Sequence, residues 1–401
     1  MAIKKAEETL EPLVDAAEEE ELCEEATGVR ARFVEVEAKI NAISIGHTDL
    51  VRGLLLAILA REHMMLIGPY GSAKTSTINA ALTLLGVGAR AFYATLDKMT
   101  PPEVLLGMFS PRALLKEDRW LRNMVGKLPE AEFAFIGEVF RGSGAVRASL
   151  HTVINERYVE NDGVRVAVPL CTMFADSNTF PYRDEDRPFY DRFVLRHCLE
   201  YLPSSESDPF CAMLKAPELG NGTVTKAVMT AAEVHEAMAD VRTVTAHTEI
   251  GQLLFELRAA LAEEGVQLSD RRWKRSLHVL QASAWLRGAS TIDTVDFGAL
   301  IYVLWETKDQ VAIARAKLEP YAASSLVEEE TRQLVAATEI FNDAMASSSD
   351  ERCGEAMITL AEILERLTND DHCSRVTEMV SQIENAMAGD IAESEGDDIP
   401  F

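Results

Sequence analysis

The stretch HMMLIGPYGSAKTSTIN, residues 63–79, decides how this chain is read. An apolar run, Met64 to Ile67, stops at Gly68-Pro69-Tyr70-Gly71. Ser72-Ala73 and then Lys74-Thr75-Ser76 lead into a helix-compatible segment. Strand, glycine loop and helix in that order turn successive backbone N–H groups and the positive end of a helix dipole toward one point, where phosphate oxygens bind. Gly68 to Ser76 are therefore the candidate nucleotide cradle, with Lys74 reaching the β- and γ-phosphates and the Thr75 hydroxyl ligating Mg2+. The pattern G-x-x-x-x-G-K-[ST] is incomplete, because Ala73 stands where its last glycine is expected.

Working outward from the loop, helical spacing covers Val29 to Ile43, and Gly46-His47 opens a second helix from Asp49 to Ala60. Apolar runs at Ala91–Leu96, Glu132–Ile136, Leu170–Ala175 and Phe193–Leu195 add four strands to the loop strand, alternating with helices. That alternation predicts a parallel, doubly wound α/β sheet of five strands. Thr100–Lys127, rich in Pro and Gly, reads as an insertion, and Asp162-Gly163 between two short apolar runs reads as a hairpin. Residues 203–310 read as an all-helical domain. A helical extension covers 311–388, its main stretch following Pro320.

The chain has 401 residues and a net charge of −26, of which residues 1–27 carry −8 and residues 386–401 carry −5. Half the excess acidity thus lies in a terminal arm, 1–27, and a tail, 389–401, whose composition suits solvated segments. So acidic a surface disfavours nucleic acid, since neutralising phosphates drives that binding. No run is long enough to span a membrane, and the first residues lack a signal-peptide core, so a cytoplasmic protein is expected. The six cysteines show no metal-ligand spacing, which leaves nucleotide-bound Mg2+ as the expected metal.

An ATP-hydrolysing site needs more than a phosphate loop: a carboxylate to activate water, a polar group to position it, and a cation for the γ-phosphate. Glu138, 64 residues after Lys74 and just past an apolar strand, suits the first task. Its predecessor, usually a Mg2+-associated aspartate, is Gly137. Asn178 follows the next strand and suits the second task. Arg192 before the fifth strand and Arg271 at the start of a later helix are candidates for the third.

Together GPYGSAKT, GKLPEAEFAFIGEVFRGSGAVRASLHTVINERYVENDG, ADSNTFP, YDRF and SDRRWKRSLHVLQASAWLRGAS resemble the MoxR branch of AAA+ ATPases, most of all its RavA-like members. The resemblance covers about residues 30–307. It implies a five-stranded parallel P-loop core at 28–202, a helical lid at 203–310, and ATP with Mg2+ as ligands. In its terms Gly68–Thr75 match the Walker A loop, where alanine before the lysine is usual in this branch. Glu138 matches the Walker B glutamate, Asn178 sensor 1, Arg271 sensor 2, and Arg192 the arginine finger, with Arg196 the fallback. It further implies a homo-oligomeric, hexameric ring that remodels a protein client, commonly one carrying a von Willebrand A domain.

Gly137 departs from the branch and motivates a second reading, a nucleotide-gated assembly module with little or no hydrolysis. Gly137→Asp separates the two: a large gain in rate supports the module, and no gain supports compensation by another group, with Asp176 the candidate.

Overall fold

The computed structural model describes residues 28–181, 183–202, 207–215, 226–347, 350–366 and 373–383. The acidic arm and tail anticipated above lie outside them. The chain divides into two units that meet at Arg315 and Ala316.

In the first unit, helices α1 (Val29–Ile43) and α2 (Thr48–Ala60) precede the sheet. Ten of the thirteen α2 residues are buried, which makes it a core helix without a polar face. Strands β1 (Met64–Ile67), β2 (Ala91–Thr95), β3 (Phe133–Gly137), β6 (Thr172–Ser177) and β7 (Leu195–Cys198) form the expected parallel sheet, in the order β2-β3-β6-β1-β7. β1 is central and wholly buried, so its Met-Met-Leu-Ile run is apolar on both faces. Helices α3 (Lys74–Leu84) and α4 (Gly144–Glu156) are the longest flanking connections. All five strands run the same way, so the turns after β1, β3 and β6 emerge along one carboxyl edge.

Two strands sit later than their apolar runs. Leu170 and Cys171 are buried, yet pairing with β3 and β1 begins only at Thr172. β7 begins at Leu195 and takes in Arg196 and His197, whose polarity hides a strand from a hydrophobicity reading.

The remaining strands, β4 (Tyr158–Asn161) and β5 (Val164–Ala167), form the expected hairpin. Asp162 and Gly163 at its tip have φ of 55° and 76°, the two left-handed residues of a type I′ turn. The tip is tied to the 100–127 insertion. The Asp162 carboxylate accepts from Arg119 Nε at 2.7 Å and from the Trp120 N–H at 2.9 Å, and Asn161 Oδ1 accepts from the Arg122 N–H at 2.7 Å.

After residue 225 the first unit is mostly helical: α5 (Ala231–Val241), α6 (Thr248–Glu263) and α7 (Asp270–Arg287). Among the described residues its only strand-like contact is one bridge, Thr245 to Thr291. α7 packs against α1 and α2, with Trp285 edge-on to Phe33 at 5.7 Å. Arg275 and His278 of α7 reach the buried Glu62 carboxylate at 2.7 and 2.8 Å. Glu62 lies just before β1, so this anchor is at the amino edge of the sheet, away from the loop.

Helix α8 (Lys308–Ser347) crosses the unit boundary and contains Pro320. The expected helical stretch was to follow that proline, a residue that usually ends helices; here the helix begins well before it and continues through. In the second unit α8, α9 (Asp350–Arg366) and a helical segment at 373–383 bury one small apolar cluster, including Leu334, Leu360, Val376 and Ile383. No helix among the described residues is long and apolar enough to cross a membrane.

Candidate functional site

The loop after β1 is shaped by close approach and by backbone hand. A Cβ on Gly68 would lie 2.7 Å from the Leu199 carbonyl oxygen, so only glycine fits beside the segment leaving β7. Gly71 has φ of 77°, a conformation glycine adopts at no steric cost. Ala73, the residue replacing the expected glycine, has φ of 55° and caps α3. The backbone keeps the glycine's conformation although the side chain has changed, at a cost of about 1–2 kcal/mol for an L-residue. Ala73→Gly is therefore expected to raise thermal stability by up to about 1 kcal/mol, or about 2–4 °C, once glycine's extra chain entropy is deducted. An unchanged or lower melting temperature in calorimetry would show that this turn is unstrained.

Lys74 opens α3 and is 5% exposed. Its Nζ donates to the Gly68 and Pro69 carbonyls, both at 2.8 Å, and lies 3.7 Å from Asp176 Oδ2. Burial lowers its pKa, while the Asp176 and Glu138 carboxylates pull it back up. Ser72 Oγ donates to the Pro69 carbonyl at 2.8 Å and Ser76 Oγ to the Ala73 carbonyl at 3.0 Å, which stiffens the turn. Tyr70 and Thr75 are exposed, and Tyr201 Oη donates to the Tyr70 carbonyl at 3.0 Å.

Along the same edge, Glu138 follows β3 and Asn178 follows β6. Asn178 Nδ2 donates to Glu138 Oε1, and both residues line a cleft of about 1020 Å³ with Tyr70, Lys98 and Arg141. Glu138 has φ of 54°, left-handed for a bulky residue, which is the kind of backbone strain that collects at working sites. Its N–H donates to Asp176 Oδ1 at 2.7 Å. Burial raises the Asp176 pKa, opposed by that N–H and by Lys74. The structure thus brings together Lys74, Glu138 and Asn178, and adds Asp176 at their centre.

The two candidate arginines lie elsewhere. Arg271 Nη1 reaches Asp191 Oδ2 at 3.4 Å, Arg192 Nη1 lies 3.7 Å from the same oxygen, and Ser269 Oγ donates to Asp191 Oδ1 at 2.8 Å. Neither arginine lines the cleft beside Glu138 or the one described next. The fallback, Arg196, is fully buried: it donates to the carbonyls of Trp305 at 2.9 Å, Tyr190 at 3.2 Å and Phe193 at 3.3 Å, and stacks on the Tyr190 ring at 3.6 Å. So enclosed, its side chain is committed to contacts within its own chain, which argues against the fallback. Its role is to join β7 to the segment after α7, where Arg272 also donates to the Trp305 carbonyl at 3.0 Å.

A second cavity, about 540 Å³, flanks the other side of the loop. Gly71, Ser72 and Ala73 form one wall; Ile45, His47, Leu202, Phe210 and Met213 contribute to the rest. Its size and mainly apolar walls suit a nucleobase. These residues escaped the sequence reading because three separate segments supply them. The one signal was Gly46, whose φ of 74° favours glycine and whose Cβ position lies 2.2 Å from Leu202 Cδ2 in this cavity's wall.

Comparison with known proteins places the fold in a family. Residues 31–238 match the family described as the MoxR domain in the MoxR-vWA-beta-propeller ternary systems, and residues 249–316 match a AAA lid domain. The chain belongs to this MoxR family of AAA+ ATPases. An uncharacterized protein of Methanocaldococcus jannaschii is 28% identical over 282 residues, covering 70% of this chain and 72% of that one. Protein MoxR of Paracoccus denitrificans is 25% identical over 302 residues, covering 68% and 86%. The crystal structure of a candidate ATPase from Cytophaga hutchinsonii superposes with a TM-score of 0.58 at 18% identity, covering 76% of this chain and 96% of that one, a likeness of fold.

Proposed function

We propose that this chain hydrolyses ATP with Mg2+ in a ring of identical subunits and uses the cycle to remodel a protein partner. The observation that carries the reading is the convergence of Lys74, Asp176, Glu138 and Asn178 on one sheet edge beside a phosphate loop. ATP binds with its base in the 540 Å³ cavity and its phosphates over the loop. Lys74 exchanges the Gly68 and Pro69 carbonyls for β- and γ-phosphate oxygens. Glu138 takes the proton of the attacking water, and Asn178 holds the carboxylate in place.

The available donors suit Mg2+. Among the described residues no cluster of three or more His, Cys, Asp or Glu side chains could hold an ion alone. A nucleotide-bound Mg2+ would be held mostly by phosphate and water, as Mg2+ commonly is, with the Thr75 hydroxyl as one protein ligand. When bound, Mg2+ neutralises charge on the β- and γ-phosphates.

Arg192 and Arg271 share Asp191 and line neither cavity, and the helix carrying Arg271 is anchored at the opposite sheet edge. Arg192, the finger candidate, is assigned to a neighbouring subunit's γ-phosphate in a ring, a hexamer in keeping with the family, and Arg271 keeps the sensor 2 role. The matched family's description supports a von Willebrand A domain protein as partner, in a system that also holds a β-propeller. The site's carboxylates disfavour the assembly module without hydrolysis, because an acid is present at the place Gly137 leaves open.

The test is phosphate release from ATP by the purified chain with and without Mg2+, alongside native mass with and without nucleotide. Mg2+-dependent turnover by a species of several subunits is expected. A monomer that releases no phosphate at any concentration overturns the reading.

A further inference from the structure

The acid expected beside Glu138 is missing at position 137, and the fold shows where one has come from. β3 and β6 pair Ile136 with Ala175, so one step further along Gly137 and Asp176 are lateral neighbours on one face of the sheet. A Cβ at 137 would lie 3.5 Å from Asp176 Oδ1 and 3.0 Å from Thr95 Oγ1. The space an aspartate at 137 would enter is thus already bordered by a carboxylate. β6 lies between β3 and β1, and β1 carries the loop. An acid on β6 is one strand, about 4.8 Å, nearer the phosphates than an acid on β3.

The two oxygens of Asp176 have different surroundings. Oδ1 accepts the Glu138 N–H at 2.7 Å and fixes the turn that presents Glu138. Oδ2 is ion-paired with the Lys74 ammonium at 3.7 Å, longer than a hydrogen bond, and two of that ammonium's three N–H groups donate to carbonyls at 2.8 Å. Oδ2 therefore keeps acceptor capacity beside the very lysine that meets the phosphates. Asp176 Oδ2 and the exposed Thr75 hydroxyl both offer oxygen, the donor chemistry a hard divalent cation selects.

We propose that Asp176 anchors the nucleotide-bound Mg2+ in this chain, performing from β6 the task that related ATPases assign to the position of Gly137 on β3. The proposal rests on the ATPase reading above. It has a corollary for position 137: an aspartate added there meets Asp176 at contact distance on the same face, and two buried like charges oppose each other. The acid can occupy one strand or the other, and not both.

Mn2+ bound with a non-hydrolysable ATP analogue, followed by electron paramagnetic resonance, tests this, together with analogue affinity in EDTA. Asp176→Asn, which keeps an oxygen for the Glu138 N–H, is expected to weaken Mn2+ at least about tenfold, while metal-free analogue affinity does not fall, because an anion beside Lys74 is removed. Gly137→Asp alone is expected to weaken Mn2+ or leave it unimproved. Gly137→Asp with Asp176→Ala is expected to bind Mn2+ more tightly than Asp176→Ala alone, a rescue that a purely structural Asp176 does not allow. The proposal is overturned if Asp176→Asn binds Mn2+ as the parent does, if it weakens the analogue equally with and without metal, or if Gly137→Asp alone tightens Mn2+. A parent chain that binds no analogue overturns the ATPase reading as well; a parent that binds it beside an indifferent Asp176→Asn overturns only the Asp176 assignment.

Discussion

Glu138→Gln is expected to bind ATP as the parent does and to turn it over at least about a hundredfold more slowly, a barrier increase of about 2.7 kcal/mol. The change is nearly isosteric. The glutamine Oε1 still accepts from Asn178 Nδ2, and the backbone N–H still reaches Asp176, so the strained turn keeps both supports. What is lost is basicity: an amide cannot take the proton of an attacking water. Analogue affinity and steady-state phosphate release, measured on the same preparation, separate the two effects. A glutamine variant that keeps more than about a tenth of parental turnover removes Glu138 as the base and moves attention to Asp176.

The second large effect concerns two arginines four residues apart. Arg196→Met is expected to cost about 3–5 kcal/mol of stability, with a fall in melting temperature of at least about 6 °C. It leaves the Tyr190, Phe193 and Trp305 carbonyls without the guanidinium that now binds them in a region closed to water. Arg192→Ala is expected to do the reverse: a small change in melting temperature, and turnover reduced by about a thousandfold if the side chain completes a neighbour's site. Its ion-pair partner Asp191 retains Ser269 and Arg271. Calorimetry and turnover on both variants decide between them. An Arg196→Met chain that melts with the parent yet fails to turn over ATP would return the finger to Arg196.

Most of the architecture could be read from residues 63–79 and the apolar runs after them, because a buried parallel strand is apolar on both faces and loops end it sharply. Runs report burial rather than pairing, so Leu170 and Cys171 read as strand residues although pairing starts at Thr172. β7 was cut short for the converse reason: Arg196 is a strand residue because three carbonyls solvate it, a circumstance that appears only in three dimensions. Glu138 and Asn178 were legible because each follows directly on a sheet strand, and Lys74 because it closes the glycine loop after β1, all at the same edge. The base cavity was not, since Ile45, Leu202 and Met213 are ordinary apolar residues until three segments converge. The meeting of Arg192 and Arg271 at Asp191 was hidden too, because nearly 80 residues separate the partners.

The stitching of Asp162 to Arg119 and Trp120 has a mechanical consequence. Glu138 closes β3, a short turn leads into α4, and α4 runs directly into the hairpin whose tip holds the insertion. With thirteen residues, α4 is a strut about 20 Å long whose near end sits one short turn from the Glu138 carboxylate. Its far end carries two loops bound as one body, with the Trp120 indole 59% exposed on it. A tilt of a few degrees at the near end would therefore become a displacement of an ångström or more at the indole, which gives this strut the geometry of a lever pivoting at the sheet edge.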